Sequence, residues 1–252
     1  MLLGLNLGTG SAKAILIAPS GAVLGEGVAS YPVRSHRPGW AESDPRDWWD
    51  ACAEAVWAAV RERGSSVVAL GLSGQMHGVA LSDAAGNPTR PAVLWADTRS
   101  AGLLDRYREL DAGLRGRLAN PLAAGMAGPS LLWLRDEEPE AHRAARWALQ
   151  PKDWLRLWLT GQSFSEPSDA SATLLYDLQA DGWSEQVIKV LGLRTDLLPR
   201  SWSRARLQER WAGKRPGFSD SRLGFRWPPA LGTRRRRYSV RAFWSPVPCS
   251  SR

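Results

Sequence analysis

Cysteine is nearly absent from this chain. Only Cys52 and Cys249 occur in 252 residues, at opposite ends. Two distant thiols make no disulfide framework, which points to a reducing compartment and a cytoplasmic location. Histidine is equally scarce. His36, His77 and His142 are far apart, and no Cys-x-x-Cys or His-x-x-x-His spacing exists, so no metal centre built on them is expected. Long apolar runs are missing too; a membrane-spanning helix needs about 18 such residues, and none is expected here. The N-terminus has no basic region followed by a small-residue cleavage site, so no secretory signal is read. Gly-x-x-x-x-Gly-Lys-Ser/Thr and Gly-x-Gly-x-x-Gly do not occur, and Gly71-Leu72-Ser73-Gly74 misses the Gly-x-Ser-x-Gly spacing of a nucleophile elbow.

Acidic residues are depleted in one region only. Residues 201–252 hold thirteen Lys or Arg against two acids, Glu209 and Asp220, whereas the first 200 residues hold 20 basic and 23 acidic groups. The formal net charge of +8 is therefore a property of the tail, and the body is mildly acidic. The tail mixes Arg, Trp, Ser, Pro and Gly, includes the unbroken run Arg234 to Arg237, and shows no period of 2 or 3.6. Such a composition buries too little apolar area to offset its ordering entropy. A disordered or out-of-frame segment is the favoured reading, and nucleic-acid binding through phosphate contacts and stacking is the opposing one.

What is present begins with Leu2–Leu7, a polar turn Gly8 to Ser11, and Ala12–Ile17. Glycines let a backbone approach an anion, Thr9 and Ser11 carry hydroxyls, successive N–H groups can form a nest, and Lys13 follows closely. An ordinary hairpin is the plainer reading of the same residues. Ala22–Tyr31 completes three strands joined by tight turns, an antiparallel meander. Asp44 and Pro45 suit the N-cap and first position of a helix running to about Arg63, with Trp48, Ala51, Ala55 and Ala59 on its apolar side and Gly64 stopping it.

Strands are expected at Val67–Ser73, Val79–Ser82, Pro91–Trp95 and Trp147–Leu149. Helices are expected from Thr98 to about Leu110 and over Pro129–Arg135, Pro139–Ala145, Pro151–Leu159 and Ser184–Leu191. Residues 111–127 give no clear pattern.

Polar clusters fall at strand ends: Asn6 with Gly8–Ser11, Gly74–Gly78, and Asp97 with Arg99. Gln75 and His77 can both hydrogen-bond hydroxyls, the flanking glycines leave room for a ligand, and Met76 supplies an adaptable apolar wall, a set that suits a polyol. A lone His at a strand end is also commonly a structural residue.

Together these residues carry a resemblance. Gly4 to Lys13 resembles the phosphate turn of the FGGY carbohydrate kinases, members of the actin-like, ribonuclease-H-like ATPase superfamily. Pro38-Gly39-Trp40-Ala41-Glu42-Ser43-Asp44-Pro45, Gly71-Leu72-Ser73-Gly74-Gln75-Met76-His77-Gly78, Leu94-Trp95-Ala96-Asp97-Thr98-Arg99 and Pro151-Lys152-Asp153-Trp154-Leu155-Arg156 resemble the xylulose-phosphorylating branch. The match covers about residues 1–200, and residues 201–252 stand outside it.

The resemblance implies an α/β, ribonuclease-H-like domain: an antiparallel meander at the start, a mixed sheet flanked by helices, and a largely irregular tail. It implies Met76, His77, Gln75 and Asp97 against D-xylulose, Thr9, Gly10, Ser11 and Lys13 against the phosphates of ATP, and in-line transfer of the γ-phosphoryl to a hydroxyl. Another sugar or polyol of the same family, and a non-enzymatic sugar-binding fragment, remain open. Asn6 stands where the family carries an Asp that helps hold Mg²⁺, and an amide is a weak partner for that ion. The family's Gly-Gly-Asp turn with its catalytic base has no counterpart here, so no catalytic residue is assigned. A truncated chain with little kinase activity is the expectation, together with an exposed apolar patch and self-association.

Overall fold

Leu3, Leu5 and Leu7 alternate with Gly4 and Asn6, so the first strand has one apolar face and one small or polar face. The computed structural model, which describes residues 1–201, 224–225, 238–239 and 241–242, builds a sheet on that alternation. In chain order it runs β1 (Leu2–Leu7), β2 (Ser11–Ile17), β3 (Val23–Ser30), β4 (Glu42–Ser43), α1 (Pro45–Val60), β5 (Ala69–Gly74), β6 (Ala80–Ser82) and β7 (Ala92–Val93). Then follow α2 (Leu104–Arg108), α3 (Ala112–Leu118), α4 (Ala127–Glu137), α5 (Pro139–Ala144), β8 (Trp147–Leu149), α6 (Pro151–Thr160), β9 (Phe164–Ser165) and α7 (Pro167–Ala170). The described residues end with β10 (Tyr176–Asp177), β11 (Gly182–Trp183), α8 (Glu185–Val190), β12 (Arg200–Ser201), and the two-residue strands β13 (Gly224–Phe225), β14 (Tyr238–Ser239) and β15 (Arg241–Ala242).

The chain divides into two units, one of residues 1–31, 47–74 and 218–252, the other of 32–46 and 75–217. The first holds a mixed sheet in the order β15-β5-β1-β2-β3. β1, β2 and β3 are the antiparallel meander, and β5 runs parallel to β1. Leu3, Leu5, Leu7, Ala12, Ala14 and Leu16 are buried, as are Trp48, Cys52, Ala55 and Ala59 at helical spacing on α1. Gly25 and Gly27 explain how closely β3 and α1 pack. A Cβ on either would stand 2.2 Å from the Ala59 carbonyl oxygen or 2.0 Å from that of Ala55. Burial pushes the Cys52 thiol up to about 12, which leaves it an unreactive core residue.

The second unit is helical around small ladders. β4 pairs with β7, and β6 with β8, both antiparallel. Leu131, Leu132 and Leu134 of α4 pack with Tyr107, Leu118, Leu174, Val187 and Ile188 in one apolar core.

Several expected elements change. The helix expected over Thr98–Leu110 is a 3-10 turn at Ala101–Leu103 followed by the short α2. The Thr98, Asp97 and Ser100 polar groups spend themselves on local and long-range hydrogen bonds instead of extending it. The unpatterned stretch 111–127 contains α3, opened by the Asp111 carboxylate, which accepts from Gly113 N and Leu114 N. α1 stops at Val60 and continues as a 3-10 turn through Ser66. The strand expected at Pro91–Trp95 pairs only over Ala92–Val93. The expectation of a disordered or out-of-frame tail lies outside the described residues, apart from β12's Ser201 and the three short strands beyond it.

Candidate functional site

Two groups of expected site residues lie in different units. In the first unit, the Gly8–Gly10 turn is tied by Gly8 N donating to Ser11 O at 2.9 Å. Tyr31, just past β3, backs the turn: its N–H donates to Gly10 O at 3.0 Å, and its hydroxyl donates to Gly8 O. Burial raises the Tyr31 phenol far above its ordinary range, so it stays a donor. Fixing the turn's carbonyls from behind fixes the orientation of its N–H groups. Nothing in the local pattern marked Tyr31. Its part is visible only through the β2–β3 register, which sets Ser30 opposite Ser11.

That register also builds a polar row. Lys13 stands opposite Asn6 across β1–β2, and Ser73 stands opposite Asn6 across β1–β5. Lys13 is exposed. Asn6 Oδ1 accepts from Ser73 Oγ at 2.9 Å. A hard divalent cation wants charged oxygens, and this row offers one neutral amide oxygen already engaged. The chain's own residues here do not make a Mg²⁺ ligand set. Among the described residues, no group of three or more His, Cys, Asp or Glu could hold a metal ion.

In the second unit, Gln75 to Gly78 leave β5 as a loop. His77 (φ 59) and Gly78 (φ 64) are both left-handed, a conformation that turns the chain sharply and is open to His and natural for Gly. Gly78 N donates to Gly125 O at 3.0 Å, and a Cβ at residue 78 would stand 2.7 Å from Val93 O. The loop is thus pressed against the Val93–Leu94 segment, whose Leu94 O accepts from Asp97 N at 3.0 Å.

Met76 is 54% exposed. His77 Nδ1 lies 3.0 Å from Ala172 O. Gln75 is 91% buried, and neither of its amide atoms has a partner among the described residues. A buried primary amide without partners is costly.

Asp97 is differently employed. Its Oδ2 accepts from Ala41 N at 2.6 Å and Arg99 Nη2 at 2.7 Å, and its Oδ1 from Arg99 N and Nε, both at 2.9 Å. Arg99 stacks on Trp40, 3.6 Å from the ring centroid, and pairs with Glu42 at 2.8 Å. Arg90 also bonds Glu42 and pairs with Glu138 at 2.6 Å. These contacts make Asp97 part of a buried charge chain that braces the loop bearing Trp40.

Sequence pattern also gave no hint that Lys152 is buried. At 4% exposure it sits among Asp153, Glu166 and Asp169. Burial alone would lower its pKa, but those three carboxylates outweigh it and the ammonium is held charged. Asp169 is pushed up to about 6, first by burial, with Lys152 opposing and Asp153 and Glu166 adding repulsion.

Comparison with known proteins shows the family and the fold. The N-terminal domain of the FGGY family of carbohydrate kinases matches residues 1–206. The xylulose kinase of Escherichia coli (strain K12) is 37% identical over 203 residues, covering 79% of this chain and 41% of that protein. That of Streptomyces rubiginosus is 36% identical over 204 residues, covering 79% and 42%. A crystal structure of a xyloylose kinase from Brucella ovis superposes with a TM-score of 0.72 at 37% identity, over 83% of this chain and 46% of that one. The Rhodospirillum rubrum xylulose kinase, at 24% identity and a TM-score of 0.74, shares the fold. The chain spans less than half the length of these relatives. Its α/β architecture is the ribonuclease-H-like one of the sugar kinases, and the chain belongs to the FGGY family of carbohydrate kinases.

Proposed function

We propose that these residues form the sugar-recognising portion of a xylulose kinase, which transfers the γ-phosphoryl of ATP to a hydroxyl of D-xylulose. The observation that carries the reading is the Gln75–Gly78 loop: an exposed thioether, a half-buried imidazole anchored through Nδ1, and a buried unpartnered amide, consecutive on a left-handed turn. The relatives named above, at 36–37% identity, are xylulose kinases, which favours this sugar over other polyols.

In this reading Gln75 and His77 bind ketose hydroxyls and Met76 packs on its carbon chain. Asp97 serves the rim through Arg99 and the Ala41 amide. Thr9, Gly10, Ser11 and Lys13 face the nucleotide phosphates, with Tyr31 holding the turn's shape. A lysine and oriented N–H groups stabilise phosphate charge without a proton transfer. Mg²⁺ would arrive with the triphosphate, since Asn6 adds no charge to hold it. No described side chain is assigned as the base. Among the described residues no helix is long and apolar enough to cross a membrane, and a cytoplasmic place in sugar metabolism fits the reading. Self-association of the chain stays part of the proposal.

Isothermal titration of the 252-residue chain with D-xylulose, glycerol and gluconate tests it. Binding of the ketose in preference to the others, lost in His77→Ala, is expected. A preference for gluconate or glycerol would assign a different sugar of the family, and no binding of any would refute the reading.

A further inference from the structure

The contact between His77 Nδ1 and Ala172 O, at 3.0 Å, has a chemical consequence. A carbonyl oxygen only accepts, so the neutral ring must carry its proton on Nδ1, which leaves Nε2 a bare acceptor. A neutral imidazole in water favours the opposite tautomer. The carbonyl therefore has to be held in place by something else, and the segment that bears it is clamped from several sides.

Glu166 opens the segment. Its Oε2 accepts from Ser168 N at 2.7 Å and its Oε1 from Asp169 N at 3.2 Å. Lys152 Nζ, from the first turn of α6, lies 3.2 Å from Glu166 Oε1 and 2.9 Å from Asp169 Oδ2. Gln150 Nε2 donates to Asp169 O at 2.7 Å. Asn120 Nδ2 then donates to Ser171 O at 2.8 Å, one residue before Ala172. Lys152, Glu166 and Asp169 are all buried, so water does not dilute their pairing.

We propose that Lys152 and Asn120 are positioning residues for His77: by clamping residues 166–172 they set the Ala172 carbonyl, impose the Nδ1–H tautomer, and leave Nε2 to accept from a ligand hydroxyl. An Nε2 acceptor selects an O–H donor, as on a polyol, over a carbonyl or phosphate oxygen. Second partners that set a histidine's tautomer are a general device for aiming its other nitrogen. The identity of the ligand rests on the sugar-binding reading above. The tautomer does not, because it belongs to the ligand-free chain.

Imidazole ¹⁵N NMR of the full 252-residue chain tests this, since only three histidines contribute signals. Spectra are taken at about pH 8.5, well above the ordinary imidazole pKa of about 6.5. His77 is expected with its tautomer ratio shifted about 2- to 13-fold from that of free imidazole toward Nδ1 protonated and Nε2 bare, the shift that one retained hydrogen bond supplies, so that the Nδ1–H form predominates. In Lys152→Met the ratio is expected to fall toward that of free imidazole while His36 is unchanged. Asn120→Ala, which deletes one half-buried side chain, is expected to shift it the same way and remains informative if Lys152→Met fails to fold. Protonation of His77 at Nε2 in the parent chain overturns the proposal. So does a folded Asn120→Ala that keeps the parent ratio, whatever Lys152→Met does. Failure of D-xylulose to bind a chain with the expected tautomer would refute the ligand assignment and leave the clamp standing.

Discussion

Replacing Gly78 by alanine tests the geometry of the Gln75–Gly78 loop most directly. The residue is left-handed, and its new Cβ would lie 2.7 Å from Val93 O and 3.3 Å from Leu94 Cα. Both neighbours are backbone, in a segment held by the Val79–Val93 hydrogen-bond pair at 2.8 and 3.0 Å, so neither can swing aside as a side chain would. The left-handed conformation costs a non-glycine about 1–2 kcal/mol, and forcing a methyl into packed backbone costs about 1–3 kcal/mol. The sum, about 2–5 kcal/mol, is a large part of a typical domain's 5–15 kcal/mol. With a urea dependence of about 1–3 kcal/mol per molar, the midpoint followed by tryptophan fluorescence should fall by at least about 0.7 M, and by about 1–2.5 M at a mid-range dependence of about 2 kcal/mol per molar. If the loop instead yields, stability is retained and His77 is displaced, so ketose affinity falls. Gly116→Ala is the control. It sits in α3 with no atom within 4 Å of its Cβ position, and should be stabilised by about 0.5–1 kcal/mol. A Gly78→Ala chain with the parent's midpoint and unchanged ketose affinity would refute this account of the loop.

Three further outcomes follow from the same structure. Tyr31→Phe removes the hydroxyl bond to Gly8 O and should cost about 1 kcal/mol, with faster hydrogen exchange confined to the Gly8–Ser11 turn; unchanged exchange there would show that the phenol does not hold the turn. His142 has its pKa lowered by burial first and then by Arg194 and Arg135. The unfolded chain therefore binds more protons, and stability from this group is lost as pH falls below 6.5 through the lower folded value. Asp169, raised toward 6, contributes with the opposite sign, so the measurement is the difference in urea midpoint between the parent and His142→Gln at two pH values; a difference independent of pH would refute it. Asn6→Asp places a carboxylate in the Lys13–Ser73 row, and should tighten Mg²⁺-dependent ATP binding in a calorimetric titration; equal affinity with and without the carboxylate would remove residue 6 from the nucleotide site.

Much of the fold is legible because it is local. The Leu3, Leu5, Leu7 alternation marks a one-sided strand, and the turns before β2 and β3 make a meander the simplest closure. At Asp44, the carboxylate accepts from Arg46 N at 2.9 Å, as an N-cap before Pro45 should. The Gln75–Gly78 loop stands out in the sequence as two hydrogen-bonding side chains and a thioether between glycines, and the structure places it as a turn leaving β5 with His77 and Gly78 left-handed. What was unreadable is how each polar group is spent. Asp97 reads as a rim carboxylate, yet its oxygens are filled by Arg99 and by Ala41, 56 residues away. Lys152 falls at a helix start, and nothing in its spacing shows that it is buried among three acids.

The chain by itself determined the opening meander, the start of α1 and the apolar faces of both, because each depends on residues within a turn or two of one another. Only the tertiary structure decided that Tyr31 backs the Gly8–Ser11 turn and that a carbonyl 95 residues from His77 chooses its proton. A hydrogen bond is made or missed by a few tenths of an ångström, and that precision comes from packed elements brought together over long stretches of chain, not from spacing along it.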